Sequence, residues 1–139
     1  MYKPKVLVIE DDPAITNLMK TTLDTQDYQY HTAKTGSGAL LDAVSYNADV
    51  IILDLGLPDM DGVDIIRKIR GWSNVPIIVV SARSEDQDKV EALDAGADDY
   101  VTKPFGMMEL ISRIKAVLRR SANGSISGED AFEIGEIRP

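Results

Sequence analysis

Residues 50–54 read Val50-Ile51-Ile52-Leu53-Asp54, four consecutive apolar residues, three of them β-branched, running straight into a carboxylate. A strand with one solvated face alternates apolar and polar residues, so an unbroken run marks a strand covered on both faces, as in a parallel sheet between two helical layers. Residues 6–9 (Val-Leu-Val-Ile) and 75–80 (Val-Pro-Ile-Ile-Val-Val) have the same character, and weaker strand signals lie at 29–33 and 100–102. The intervening stretches have helical period. Asp12 before Pro13 is an N-cap followed by a favoured first-turn proline, after which Ile15, Leu18, Met19 and Leu23 recur on one face. Further helices are predicted over 37–46 through Leu40, Ala43 and Val44, over 63–70 with Ile66 and Ile69 inward, over 85–95 with a stop at Gly96, and over 108–120. In the last, Leu110, Ile111, Ile114, Val117 and Leu118 form the buried stripe.

Strict strand–helix alternation implies an α/β fold: a five-stranded parallel sheet with right-handed crossovers and helices on both faces, the flavodoxin-like arrangement. The 139 residues, 44% hydrophobic and 27% charged, suffice for one compact domain and exclude two full ones. Cysteine is absent, which excludes a disulfide scaffold and a thiolate zinc site and fits a reducing compartment. With 15 Lys+Arg against 23 Asp+Glu the net charge is -8, so this segment lacks the cationic surplus that holds DNA. The apolar runs are too short to span a bilayer and the N-terminus has no secretory h-region, which leads to the expectation of a cytoplasmic protein without membrane contact. The composition changes after Arg120. Residues 1–120 are read as the domain, 121–131 as a Ser/Gly/acid-rich linker, and 132–139, beginning Phe-Glu-Ile-Gly-Glu-Ile, as the start of a further unit.

Ligands of parallel α/β sheets bind beyond the carboxyl ends of the strands. Those ends carry Glu10-Asp11-Asp12, Asp54, Ser81 and Lys103-Pro104, so three or four carboxylates converge beside one ammonium and one hydroxyl. Like charges tolerate such proximity only with a cation bound or a pKa raised. Oxygen-only donors select a hard divalent ion, for which Mg²⁺ is the natural choice, and a lysine and a hydroxyl opposite it suit the equatorial oxygens of an incoming phosphoryl group. The pattern reads as a phosphoryl-accepting aspartate site. Simpler roles account for several neighbours: Asp12 as a helix cap, and Asp59, Asp61 and Gly62 as turn and capping residues. The single His31 has no second ligand nearby in sequence, and Gly36 and Gly38 lack the third glycine of a dinucleotide fingerprint because Leu41 stands there.

Four ordered motifs then carry a resemblance: Glu10-Asp11-Asp12, the stretch 53–62 (Leu-Asp-Leu-Gly-Leu-Pro-Asp-Met-Asp-Gly), 80–83 (Val-Ser-Ala-Arg), and 95–105 (Ala-Gly-Ala-Asp-Asp-Tyr-Val-Thr-Lys-Pro-Phe). Residues 5–120 resemble the receiver domain of two-component response regulators, with the CheY-like version of the flavodoxin-like fold. The resemblance implies that Asp54 is the phosphoacceptor, taking phosphate from a sensor histidine kinase. It implies that Glu10, through water, and Asp11 hold Mg²⁺ with Asp54 and the backbone carbonyl of Gly56. Ser81 and Lys103 would each bind a phosphoryl oxygen, and Tyr100 would turn inward when Ser81 moves. The later motifs with Glu109 and Arg119-Arg120 are similar to the winged-helix (OmpR/PhoB-like) subfamily, which implies promoter DNA binding through a C-terminal domain that this chain lacks, 132–139 being its first strand. That subfamily implies a homodimer on phosphorylation, using Lys89, Asp94, Asp98, Asp99, Glu109, Arg113, Lys115 and Arg120, with Lys89 meeting Glu109 and Asp99 meeting Arg113 across a twofold axis.

Two other functions compete. A stand-alone receiver would act only by binding a partner or relaying phosphate, and the linker and strand fragment after Arg120 argue against it. A phosphatase of the haloacid dehalogenase type also forms an aspartyl phosphate with Mg²⁺, but needs a second acid two positions after the nucleophile, where this chain has Gly56. Enzymatic turnover is therefore not expected beyond self-phosphorylation and self-dephosphorylation at Asp54.

Overall fold

The computed structural model describes residues 3–127. Its elements alternate without exception: β1 (Lys5–Ile9), α1 (Pro13–Thr25), β2 (Gln29–Ala33), α2 (Gly36–Ser45), β3 (Val50–Asp54), α3 (Gly62–Arg70), β4 (Ile77–Ser81), α4 (Asp86–Ala95), β5 (Asp99–Thr102) and α5 (Met107–Ser127). The five strands are all parallel, in the order β2-β1-β3-β4-β5. The chain steps from β1 outward to β2, then reverses to β3 on the other side of β1. That reversal opens a crevice between the carboxyl ends of β1 and β3.

Both faces of the sheet are covered, which is why its central strands have no polar alternation. Leu7, Ile9, Ile51, Leu53, Ile77 and Val79 pack with Ile65, Ile66 and Ile69 of α3 and Ala92 of α4. Their neighbours Val6, Val8, Val50, Ile52, Ile78 and Val80 point the other way, against Met19 and Leu23 of α1 and Leu110, Ile111 and Ile114 of α5. Within β3 and β4 every residue is buried, including the terminal Asp54 and Ser81. Burial of these strands on both sides fixes the register that brings their polar ends together.

Several sequence expectations shift. β4 begins at Ile77, not Val75, because Pro76 has no N–H for a ladder; its carbonyl accepts from the Ile51 N–H at 2.9 Å. Leu18 is 52% exposed and Thr16 takes the inward place, since Met19 and Leu23 set the buried face and Thr16 lies one turn before Met19. Val44 of α2 is likewise exposed, with Ala39 buried in its stead. The largest change is at the end. α5 runs through Ser127, so residues 121–127, read as linker, continue the helix; adding residues to a formed helix needs no new nucleus and the next proline is Pro139. Residues 128–131 and the strand-like 132–139 lie outside the described residues.

The amino-end side of the sheet is fastened by Arg70. Its Nε donates to the Gly96 carbonyl at 3.0 Å, Nη1 to Ser73 O at 3.1 Å and Nη2 to Asp98 Oδ2 at 3.1 Å, while Asp98 Oδ2 also accepts the Ile77 N–H at 2.8 Å. Gly96 has φ +124°, and a Cβ there would come within 2.7 Å of Arg70 Cγ, so this helix stop requires glycine twice over. Arg70→Ala removes one side chain that ties α3 to the starts of β4 and β5. It is expected to lower unfolding stability by about 2 kcal/mol in urea denaturation with an unchanged m-value; a change below about 0.5 kcal/mol would show that the clasp is incidental.

Candidate functional site

The carboxyl ends of β1 and β3 place Glu10, Asp11 and Asp54 so that one carboxylate oxygen of each lies within 4.8 Å of the others. Glu10 is 1% and Asp54 7% exposed, whereas Asp11 faces solvent. Lys103, directly after β5, reaches back across the sheet edge: its Nζ lies 3.0 Å from Glu10 Oε1 and 3.6 Å from Asp54 Oδ2. The Lys103–Pro104 peptide is cis. Glu10 Oε2 accepts the Asp12 N–H at 3.2 Å, and Asp54 Oδ1 accepts the Gly56 N–H at 3.3 Å. Both oxygens of Glu10 are thus engaged within the protein. Burial is the main influence that pushes the Glu10 carboxyl up to about 7; Lys103 and the Asp12 N–H act against it, and the charge of Asp54 adds to it.

The other residues of the reading fall around this cluster. Ser81 ends β4, beside β3 in a register that pairs Asp54 with Val80, and its Oγ accepts the Arg83 N–H at 3.0 Å. Tyr100 is half-buried against the core and its hydroxyl donates to the Arg83 carbonyl at 2.7 Å. Arg83 is therefore held by both residues of the expected switch, and its Nη1 lies 3.5 Å from Asp61 Oδ1 in the neighbouring loop after β3. Asp12 and Asp61 cap α1 and α3 as expected, accepting from the Ala14 and Val63 N–H groups at 2.9 and 3.0 Å.

Sequence reasoning missed three connections. Thr16 donates to the Asp12 carbonyl at 2.9 Å, bracing the acidic loop; a threonine four residues after an N-cap was the available signal. The Arg83–Asp61 approach had none, since it joins two loops. Asp59, read as a turn and capping residue, does accept helix N-terminal amides, but those of α2, more than twenty residues away in sequence.

Four expected intersubunit residues, Asp98, Asp99, Glu109 and Arg113, make contacts within the chain. Arg113 Nη1 lies 2.9 Å from both oxygens of Asp99 in the same chain, and Nη2 lies 3.2 Å from Glu109 Oε2, one turn away. The Asp99–Arg113 pair foreseen across a twofold axis is thus made within the chain, because β5 lies beside α5. Asp98 points to the other side of the sheet, into the Arg70 clasp. His31 pairs with Asp42 at 3.2 Å, away from the acidic cluster.

The donor set fits a hard divalent cation: three convergent carboxylates, two of them buried, and no nitrogen or sulfur ligand within the group. With one edge carrying acids, a lysine and a hydroxyl, comparison with known proteins becomes decisive. The model for the response regulator receiver domain matches residues 6–115. The chain belongs to that family. The receiver domain is 55% identical over 116 residues to the transcriptional regulatory protein KdpE of Mycobacterium tuberculosis, a match covering 84% of this chain and 51% of that protein. It is 52% identical over 115 residues to the KDP operon transcriptional regulatory protein KdpE of Escherichia coli, covering 83% and 51%. The chain thus spans about half the length of these relatives. This agrees with the likeness of 54–62 and 81–84 to the regulator of the Kdp potassium-uptake operon. Among solved structures, the receiver domain of the Francisella response regulator 1452 superposes with a TM-score of 0.82 at 37% identity, covering 86% of this chain and 99% of that one. Receiver domains are signalling modules that bind Mg²⁺ at this acidic cluster. Among the described residues no helix is long and apolar enough to cross a membrane.

The site's electrostatics give a direct expectation. In chelator, Asp54→Asn removes a charge that repels Glu10 while the Lys103–Glu10 pair stays intact, so the variant should be more stable than wild type by about 1 kcal/mol in urea denaturation at pH 7. A loss of stability would mean that Asp54 matters more as a partner of Lys103 than as a like-charged neighbour of Glu10.

Proposed function

We propose that this receiver domain takes a phosphoryl group on Asp54 from a phosphohistidine of a sensor kinase, and that it serves a transcription regulator of the KDP-operon type whose DNA-binding part lies outside the described residues. The observation that carries this reading is the convergence of Glu10, Asp11 and Asp54 within 4.8 Å with Lys103 beside them. Asp11 and Asp54, with the Gly56 carbonyl, would hold Mg²⁺ directly; Glu10, its oxygens taken by Lys103 and the Asp12 N–H, would act through water. When bound, Mg²⁺ neutralises the acids and the oxygens of the incoming group.

The chemistry of the chain's own residues is positional. An Asp54 carboxylate oxygen forms a bond to phosphorus while the bond from phosphorus to the imidazole nitrogen breaks, the nitrogen leaving with the electron pair. Lys103 Nζ, already 3.6 Å from Asp54 Oδ2, would pair with one phosphoryl oxygen. The Ser81 hydroxyl, which now accepts from the Arg83 N–H, keeps its own proton to donate to another. Movement of Ser81 would pass to Arg83 and so to Tyr100, which bonds the Arg83 carbonyl. Self-phosphorylation from small donors and self-dephosphorylation belong to the same site.

The face of α4, β5 and α5 is the proposed homodimer surface. Val90 and Leu93 on α4 and Met108 on α5 are exposed apolar side chains among Lys89, Asp94, Glu109, Lys115 and Arg120. Asp99 with Arg113 and Arg113 with Glu109 already pair within the chain, so dimerisation would exchange these contacts for Lys89 with Glu109 and Asp99 with Arg113 across the twofold axis.

Incubation with acetyl phosphate should add one phosphoryl mass to the intact chain when Mg²⁺ is present and none in chelator; Asp54→Asn should gain none, and a gain in that variant overturns the assignment. Sedimentation with beryllofluoride, a phosphoryl mimic, should convert monomer to dimer. Lys89→Glu should weaken that dimer and Lys89→Glu with Glu109→Lys should restore it; a double variant no better than the single removes this pair from the interface.

A further inference from the structure

We propose that Asp59 is a positioning residue for the divalent-cation site, locking the loop between β3 and α3 onto α2 and thereby holding the Gly56 carbonyl in place. The proposal rests on the metal reading above. Asp59 Oδ1 accepts the Gly36 N–H at 2.6 Å and Oδ2 accepts the Ser37 N–H at 3.1 Å, so one carboxylate captures two amides at the start of another element. These two bonds, Gly36 first, hold the Asp59 carboxyl below its usual range. Met60 seals the contact, lying so close to Gly36 that any Cβ there would collide with its side chain. Helix α2 has a cap of its own, Thr35 Oγ1 accepting the Gly38 N–H at 3.1 Å. Asp59 therefore does more than finish α2: it fastens the loop to it.

The loop needs that fastening. Its two ends are pinned, since the Gly62 N–H donates to Leu55 O at 3.1 Å and a Cβ on Gly62 would meet Leu55 Cα at 2.7 Å. Gly56 sits just inside, exposed, without a side chain, and with nothing within 4 Å of where its Cβ would be. No side chain packs where a Gly56 Cβ would lie, so backbone contacts orient its peptide: the N–H bond to Asp54 Oδ1 at 3.3 Å and an antiparallel bridge to Asp61, on the limb of the loop that Asp59 anchors; the Gly56 carbonyl is the one backbone ligand in the reading. The Asp59 bonds restrain the tip of the loop from a separate rigid element, so the carbonyl need not be ordered when the cation arrives.

Isothermal titration of the full chain with Mg²⁺ alone tests this, using wild type, Asp59→Ala, Asp59→Asn and Thr35→Ala. Asp59→Ala should bind Mg²⁺ about five- to tenfold more weakly, and Asp59→Asn should fall between, its amide oxygen still accepting one N–H. Thr35→Ala removes a cap from the same helix without touching the loop, and should melt earlier while binding Mg²⁺ as wild type does. Wild-type affinity in Asp59→Ala overturns the proposal, as does a loss in Thr35→Ala equal to that in Asp59→Ala. If Asp59→Ala does not fold, Asp59→Asn against Thr35→Ala carries the same comparison. A wild-type chain that fails to bind Mg²⁺ defeats the metal reading itself, whereas wild-type binding unaltered in the Asp59 variants defeats this inference alone.

Discussion

The structure turns on the forced proximity of three carboxylates. Strands β1 and β3 are neighbours in a sheet buried on both faces, and their register delivers Glu10, Asp11 and Asp54 to one crevice. Two of the three are withdrawn from water, so their charges are screened by little except Lys103, 3.0 Å from one and 3.6 Å from the other. One ammonium cannot balance three carboxylates. In the proposed function, this imbalance is what would make the site receptive, first to a divalent cation and then, with the acids neutralised, to a phosphoryl group. A core of this density gives the cluster little freedom to relax by moving apart.

Around that cluster the loops are joined to one another, each by polar contacts of a few residues. Arg83 is the clearest case: its N–H is taken by Ser81, its carbonyl by the Tyr100 hydroxyl, and its guanidinium faces Asp61 at the N-terminus of α3. A change at Ser81 therefore has two directions in which to travel, toward β5 and toward α3. Asp59 accepts from the N-terminus of α2 as Asp61 does from that of α3, so the loop after β3 is in contact with two of the three helices on its face. The Arg83–Asp61 pair is an exposed ion pair, a class worth about 0 to 1 kcal/mol, so it would offer little resistance to the loop movement proposed for signalling.

The fold and the convergence of polar residues at one sheet edge were legible because they rest on patterns that local physics enforces. Unbroken apolar runs such as 50–53 could only be two-face-buried strands, and parallel strands with crossover helices put every strand's carboxyl end on one edge. Asp54, Glu10, Asp11, Ser81 and Lys103 were readable from that rule together with their chemistry. What sequence reading missed is of another kind. Leu18 and Val44 obey helical spacing but face solvent, because periodicity gives a stripe and not its centre. The end of α5 was misplaced because a Ser/Gly/Asn-rich stretch has poor helix propensity yet follows a helix already nucleated by tertiary packing. The contact of Asp99 with Arg113 inside one chain was not foreseen, because it joins a strand to the helix packed beside it. Contacts between loops, including those of Asp59 and Arg83, depend on distances that no local pattern encodes.

The measurement closest to the central claim is chemical mapping of the phosphorylated residue. Borohydride reduces an aspartyl phosphate to homoserine, so reduction of the chain after treatment with acetyl phosphate and Mg²⁺, followed by peptide mass spectrometry, reads out the acceptor. The account predicts homoserine at position 54 and aspartate at position 11. Homoserine at position 11, or an unreduced Asp54 in a chain that has gained phosphate, would contradict it.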